Sequence, residues 1–132
     1  MPKAVCSLAT NLITEHDSIH TLYYYDDAVV TTLCDWSRAP GCAARGVYSY
    51  LRFEKASVKC EGGKLTVYPN EGEAYEIPLE SVNDYTAEVV DFVNCILNNT
   101  TSAINPPEET LKSTRIAFAE KLSADTKEKI TL

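Results

Sequence analysis

Tyr85-Thr86-Ala87-Glu88-Val89-Val90-Asp91-Phe92-Val93-Asn94-Cys95-Ile96-Leu97 is the stretch on which the fold class turns. Tyr85, Val89, Phe92, Val93, Ile96 and Leu97 recur at steps of three and four, so they share one face of a helix and not of a strand. The spacing predicts an amphipathic helix from about Asp84 to Asn98, capped by Asn83 or Asp84, ended at Asn98-Asn99, and buried along Val89, Phe92, Val93 and Ile96. Upstream of about residue 80 the pattern is different. Lys3 to Ile13, Ile19 to Tyr25, Ala28 to Trp36, Val47 to Glu54, Ser57 to Cys60, Lys64 to Tyr68 and Ala74 to Leu79 are short runs rich in β-branched and aromatic residues. They are separated by Glu15-His16-Asp17-Ser18, Asp26-Asp27, Ala39-Pro40-Gly41 and Glu61-Gly62-Gly63. Asp26-Asp27 and Gly62-Gly63 read as tight antiparallel hairpins.

Downstream, Asn105 is the expected N-cap of a second helix, with Pro106 and Pro107 in its first turn and Glu108 and Glu109 at the positive end of its dipole. Leu111, Phe118, Ala119 and Leu122 are its expected buried stripe, and Glu128 to Leu132 reads as a closing strand. Strands early, helices late and no βαβ alternation give an α+β fold. The expectation is one domain over residues 1–132, a largely antiparallel sheet of about six strands with both C-terminal helices packed on one face.

A chain of 132 residues, 45% hydrophobic and 23% charged, is sized for one core that buries about two-thirds of the unfolded surface. Its formal charge of -7 repels phosphate backbones and anionic lipid, which argues against nucleic acid or membrane as a partner. The start, Met1-Pro2-Lys3-Ala4-Val5-Cys6, lacks the apolar stretch of a secretory signal, so the chain reads as cytoplasmic. Cysteines at 6, 34, 42, 60 and 95 include no pair at C-x-x-C spacing and read as small apolar fillers in a reducing compartment.

No G-x-G-x-x-G, G-x-x-x-x-G-K, G-x-S-x-G or H-E-x-x-H occurs, and no catalytic, cofactor-binding or metal-ligating residue is assigned. His16 and His20 stand four apart, but on a turn and a strand, where that step does not converge on a metal. Two features stand out. Asp35-Trp36-Ser37-Arg38-Ala39-Pro40-Gly41 holds the only Trp beside an Arg at the end of a strand. Trp36 and Arg38 are the candidate substrate-binding pair, because polyol and sugar pockets combine a flat apolar face with forked donors; the plainer reading is a core Trp beside a solvated Arg. Alternation also puts Tyr48, Tyr50 and Arg52 on the face opposite Val47, Leu51 and Phe53. Tyr and Arg are the residues that interfaces favour, so these three are the candidate subunit contact.

The order of segments resembles the C-terminal end of Gfo/Idh/MocA oxidoreductases, the glucose-fructose oxidoreductase and inositol dehydrogenase family. The resemblance is carried by the Tyr85-x-x-Glu88-x-x-x-Phe92 helix, the polar link Ala103 to Glu109, and the helix from Ile116 through Ser123-Ala124 before the final strand. Pro2 to Val5 and the hairpin from Phe53 to Tyr68 extend it over nearly the whole chain. It implies an intact protein with an N-terminal Rossmann domain for NAD or NADP, a Glu-Lys-Pro motif and an acid-base His, none of which is present in this chain. What remains is similar to the domain that walls the sugar or polyol pocket and joins subunits through its sheet face, in an excised or truncated piece that is not catalytic alone. The alternative is a freestanding homodimeric module that binds a small ligand or a protein.

Overall fold

The structure is a computed structural model that describes residues 1–39, 41–42, 46–79 and 83–132. The chain divides into two compact units, Met1–Ala39 with Cys95–Leu132, and Pro40–Asn94. In place of one sheet of about six strands, each unit carries an antiparallel four-stranded sheet of its own.

In the first unit β1 (Ala4–Thr10), β2 (Ser18–Tyr24), β3 (Val29–Asp35) and β8 (Ile130–Thr131) lie in the order β3-β2-β1-β8. Pairing runs from Ala4↔Tyr24 to Thr10↔Ser18 and from Ser18↔Asp35 to Tyr24↔Val29. The link between β2 and β3 is therefore four residues, 25–28, not the two-residue hairpin expected at Asp26-Asp27. Neither Asp takes a positive φ; a longer loop closes without the cost a Cβ imposes there.

Helix α2 (Pro107–Thr126) lies on this sheet and buries Ala119 and Ser123. Its cap is Pro106, one residue later than the expected Asn105, with no side-chain cap bond. The expected stripe is largely overturned: Leu111, Phe118 and Leu122 are 51%, 69% and 49% exposed, and only Ala119 of the four is buried. The reason is polar. Ser7 and Thr21, both 1% exposed, sit in the interior, their hydroxyls 2.8 Å apart. The helix meets them with Ser123, whose Oγ accepts the Ser7 N–H at 2.8 Å and donates to the Glu128 carbonyl at 2.5 Å. Small side chains at 119 and 123 permit that approach, and one turn away Tyr23 donates its hydroxyl to Glu120.

In the second unit β4 (Tyr48–Arg52), β5 (Ala56–Glu61), β6 (Lys64–Pro69) and β7 (Tyr75–Ile77) are ordered β4-β5-β6-β7. Gly62 and Gly63 have φ of 58° and 74° and close the Glu61↔Lys64 hairpin as the sequence predicts. Helix α1 (Asp84–Asn98) has the expected bounds and cap, with the Thr86 N–H on Asn83 Oδ1 at 3.1 Å and Asn99 left-handed at its end. None of its residues is buried, so it does not pack on a sheet face as expected. Val89, Phe92, Val93 and Ile96 are 44–65% exposed.

The buried apolar set among the described residues is Pro2, Ala4, Val5 and Ala119 in one unit and Val67 in the other. The chain exposes 10618 Å².

Candidate functional site

The chemistry in the first unit gathers where β1 turns into β2. Asp17, 6% exposed, closes the loop from Asn11. Its carboxylate accepts the N–H groups of Leu12 at 2.7 Å, of Ile13, and of Thr14 at 2.8 Å, together with the Thr14 hydroxyl. The Ile13 N–H foremost, then the Thr14 hydroxyl, hold its pKa down at about 2. His16 takes the left-handed conformation, φ 58°, that lets the loop close. Its Nε2 stands 2.8 Å from Asp125 Oδ1, and Lys121 Nζ is 2.6 Å from the other oxygen of that carboxylate. The loop is thus clamped to the end of α2.

Asp17 also holds the end of β3, because its carbonyl accepts the Trp36 N–H at 2.8 Å. Immediately before Trp36, Asp35 builds an Asx turn. Its Oδ1 accepts the Ser37 N–H at 2.9 Å and the Ser37 hydroxyl at 2.7 Å, and its Oδ2 takes Arg38 Nε at 2.9 Å. Ser37 first and Arg38 second lower the Asp35 pKa. Between these anchors the indole of Trp36 is 84% exposed, so the core reading of that residue is overturned. Leu12 and Ile13, on the loop that Asp17 pins, are 74% and 79% exposed. The result is a flat aromatic face on a fixed backbone, flanked by a guanidinium already held in place. Asp17 was missed as an organiser because its partners are backbone groups; the only sequence signal is an Asp at the last position of a turn, three after a Thr.

The first sheet carries a shallow cavity of about 310 Å³, lined by Cys6, Leu8, His20, Thr21, Leu22 and Thr31. His20 stands on this sheet and His16 on the loop, and among the described residues no group of three His, Cys, Asp or Glu could hold a metal. Cys34 is exposed, not a buried filler.

Tyr48, Tyr50 and Arg52 lie in the second unit and share one face of β4, opposite Glu61, Lys59 and Ser57. The tyrosines are 60% and 64% exposed. Arg52 Nη1 is 2.9 Å from Asn70 Oδ1, so its side chain is fixed along the sheet. The fold thus places Trp36 and Arg38 in one turn and the other three candidates on one face of another sheet.

The two helix entrances differ in what they offer. At α1 the Thr86 N–H is already taken by Asn83 and Asp84 stands beside it; at α2 Pro106 and Pro107 offer no N–H, and Glu108 and Glu109 follow.

No family model and no curated protein matches the sequence. Among solved structures, the chain resembles a "putative oxidoreductase" from Thermotoga maritima with a TM-score of 0.81 at 17% identity, over 100% of this chain and 41% of that one. It resembles the aldose-aldose oxidoreductase of Caulobacter crescentus, solved with glycerol, with a TM-score of 0.79 at 16% identity, over 99% of this chain and 41% of the other. A "putative oxidoreductase" from Klebsiella pneumoniae gives 0.72 at 17% identity, over 100% and 44%. The fold is therefore one found in oxidoreductases, and the chain spans less than half the length of these structures.

Proposed function

We propose that this chain is the substrate-wall and subunit-association domain of an NAD(P)-dependent sugar or polyol oxidoreductase of the Gfo/Idh/MocA type, and that it is not catalytic alone. The observation that carries the reading is the superposition of the entire chain on a minor part of oxidoreductase chains, one of them an aldose-aldose oxidoreductase. The pocket wall in this reading is the Trp36 turn, whose exposed indole offers an apolar face to the C–H side of a hydroxylated ring. In this reading a nucleotide-binding domain of the whole protein holds the nicotinamide, and the acid-base group stands just ahead of the region that this chain resembles.

Association is the second half of the proposal. Exposed Tyr48 and Tyr50 with an immobilised Arg52 suit a twofold sheet contact. The coding sequence upstream of Met1 tests the assignment. An open frame that encodes a glycine-rich nucleotide loop is the expected result. A stop codon with its own ribosome site would overturn it in favour of a freestanding module. Calorimetric titration of the chain with NADH and NADPH gives an independent check, and micromolar binding of either would contradict the division of labour.

A further inference from the structure

We infer that proton uptake by His16 closes the loop between β1 and β2 on α2, so that the loop is held more tightly on the acid side of neutrality than on the alkaline side. The inference concerns the loop's own opening and stands apart from the reading of the Trp36 turn as a substrate wall. His16 Nε2 lies 2.8 Å from Asp125 Oδ1, with 20% of the His16 side chain exposed. The backbone sets this residue too: its φ is 58°, and its N–H donates to Asn11 Oδ1 at 2.8 Å. Lys121 Nζ, 2.6 Å from the other Asp125 oxygen, stands on the same helix as that carboxylate, so their pair holds nothing of the loop. Among the described residues the ion pair that joins loop to helix is made through His16.

The charges around the imidazole favour the proton. Helix α2 supplies Asp125 and Lys121, and the loop supplies Glu15, which acts on Lys121, and Asp17, whose carboxylate is turned to the loop's own N–H groups. The strand ends on either side, Thr10 and Ser18, bring no charge. With His16 neutral, the carboxylates of Glu15, Asp17 and Asp125 stand against the single ammonium of Lys121, and a proton on the ring reduces that excess. The protonated ring always carries a hydrogen on Nε2, where the neutral ring does so in one of two tautomers, and a charge-assisted bond is roughly twice as strong as a neutral one. Lys121 holds the Asp125 carboxyl below its ordinary range and Asp125 holds the Lys121 ammonium above its own, so both keep their charges near neutrality. Imidazole is the side chain that ordinarily changes charge between about pH 5 and 8. Loss of its proton as pH rises weakens the clamp, and the opening that follows frees the N–H groups held by Asp17.

The amide hydrogens of Leu12, Ile13 and Thr14, all donated to the Asp17 carboxylate, report that opening. Their native-state exchange is followed by NMR on the chain without ligand at about pH 5.5 and about pH 7.5, as protection relative to the unstructured rate at the same pH. Protection roughly three- to tenfold greater at the lower pH is expected. His16→Gln takes up no proton in this window and is expected to bring that ratio to about one. Asp125→Asn, which keeps the imidazole and removes its charged partner, is expected to do the same and decides the matter should the first variant not fold. His20→Gln, at the other of the chain's two histidines, should retain the parent ratio. Equal protection at the two pH values in the parent, or a ratio that survives in a folded variant at His16 or Asp125, would overturn the inference, as would its loss in His20→Gln alone.

Discussion

The bond between α2 and the first sheet is the most exacting place to test the packing, because a single hydroxyl serves two buried partners. Beyond Val5, β1 has no strand on its β8 side among the described residues, since β8 pairs only with Ala4 and Val5. The Ser7 N–H that faces this gap is taken by Ser123 Oγ, and Ser123 is fully buried. Ser123→Ala leaves that N–H unsatisfied in the interior, a cost of about 1–3 kcal/mol, and strips the Glu128 carbonyl of its donor for about 1 kcal/mol more. The expected total is about 2–4 kcal/mol, a large share of what a small domain has. In a unit of this size that lowers the melting temperature by roughly 8 °C or more. Thermal and urea melts followed by circular dichroism read it. Ser113→Ala, which removes an exposed bond from Ser113 to the Glu109 carbonyl on the same helix, serves as control and should stay within about 0.5 kcal/mol. Coincident melts for Ser123→Ala and the parent would refute the reasoning, since α2 would then not be docked through this hydroxyl.

Phe92→Ala should cost less than about 1 kcal/mol, because Phe92 is 65% exposed; a urea-melt loss of about 3 kcal/mol, the figure for a buried Phe, would show that the α1 stripe is covered. Asp17 is a stronger acid in the folded chain, about 2 against an ordinary 3.8, so its stabilising contribution is complete above the ordinary value and is lost as pH falls toward 2. Trp36 emission followed through that window should change in the parent. Asp17→Asn should remove the change, apart from any part due to Asp35, and an identical profile in the two proteins would contradict the loop's dependence on this carboxylate. Tyr50→Glu with Arg52→Glu should convert an associated chain to monomer in light scattering coupled to gel filtration, and a dimer indifferent to both charges would remove this face as the contact.

Local signals were legible wherever a residue's own stereochemistry decides. Gly62-Gly63 specify a turn with two positive φ angles, Asn83 supplies a cap oxygen, Asn99 tolerates the left-handed end of a helix, and strand bounds follow β-branched runs to within a few residues. Asp17 shows where such reading stops, since its four donors are backbone N–H groups and a neighbour's hydroxyl, which almost any sequence can offer. Trp36 shows it again: the composition of its turn suited a core indole better than a pocket, and the fold leaves the residue 84% exposed.

Periodicity reports which residues share a face, not what lies against it. In α2 the apolar positions Leu111, Phe118 and Leu122 do share one face, yet the sheet takes the neighbouring face of Ala119 and Ser123, because the buried Ser7 N–H needs an acceptor that leucine and phenylalanine cannot supply. In α1 the stripe is as regular as a core stripe and is not covered. Both helices thus spend their most apolar faces on solvent, and Leu8, Leu33, Leu51 and Tyr75 do the same on the sheets. A chain that kept this surface open would gain too little from burial to offset its ordering entropy comfortably. The exposed stripes therefore support the proposed association, and an isolated chain that remains monomeric and melts cooperatively at high temperature would overturn that proposal.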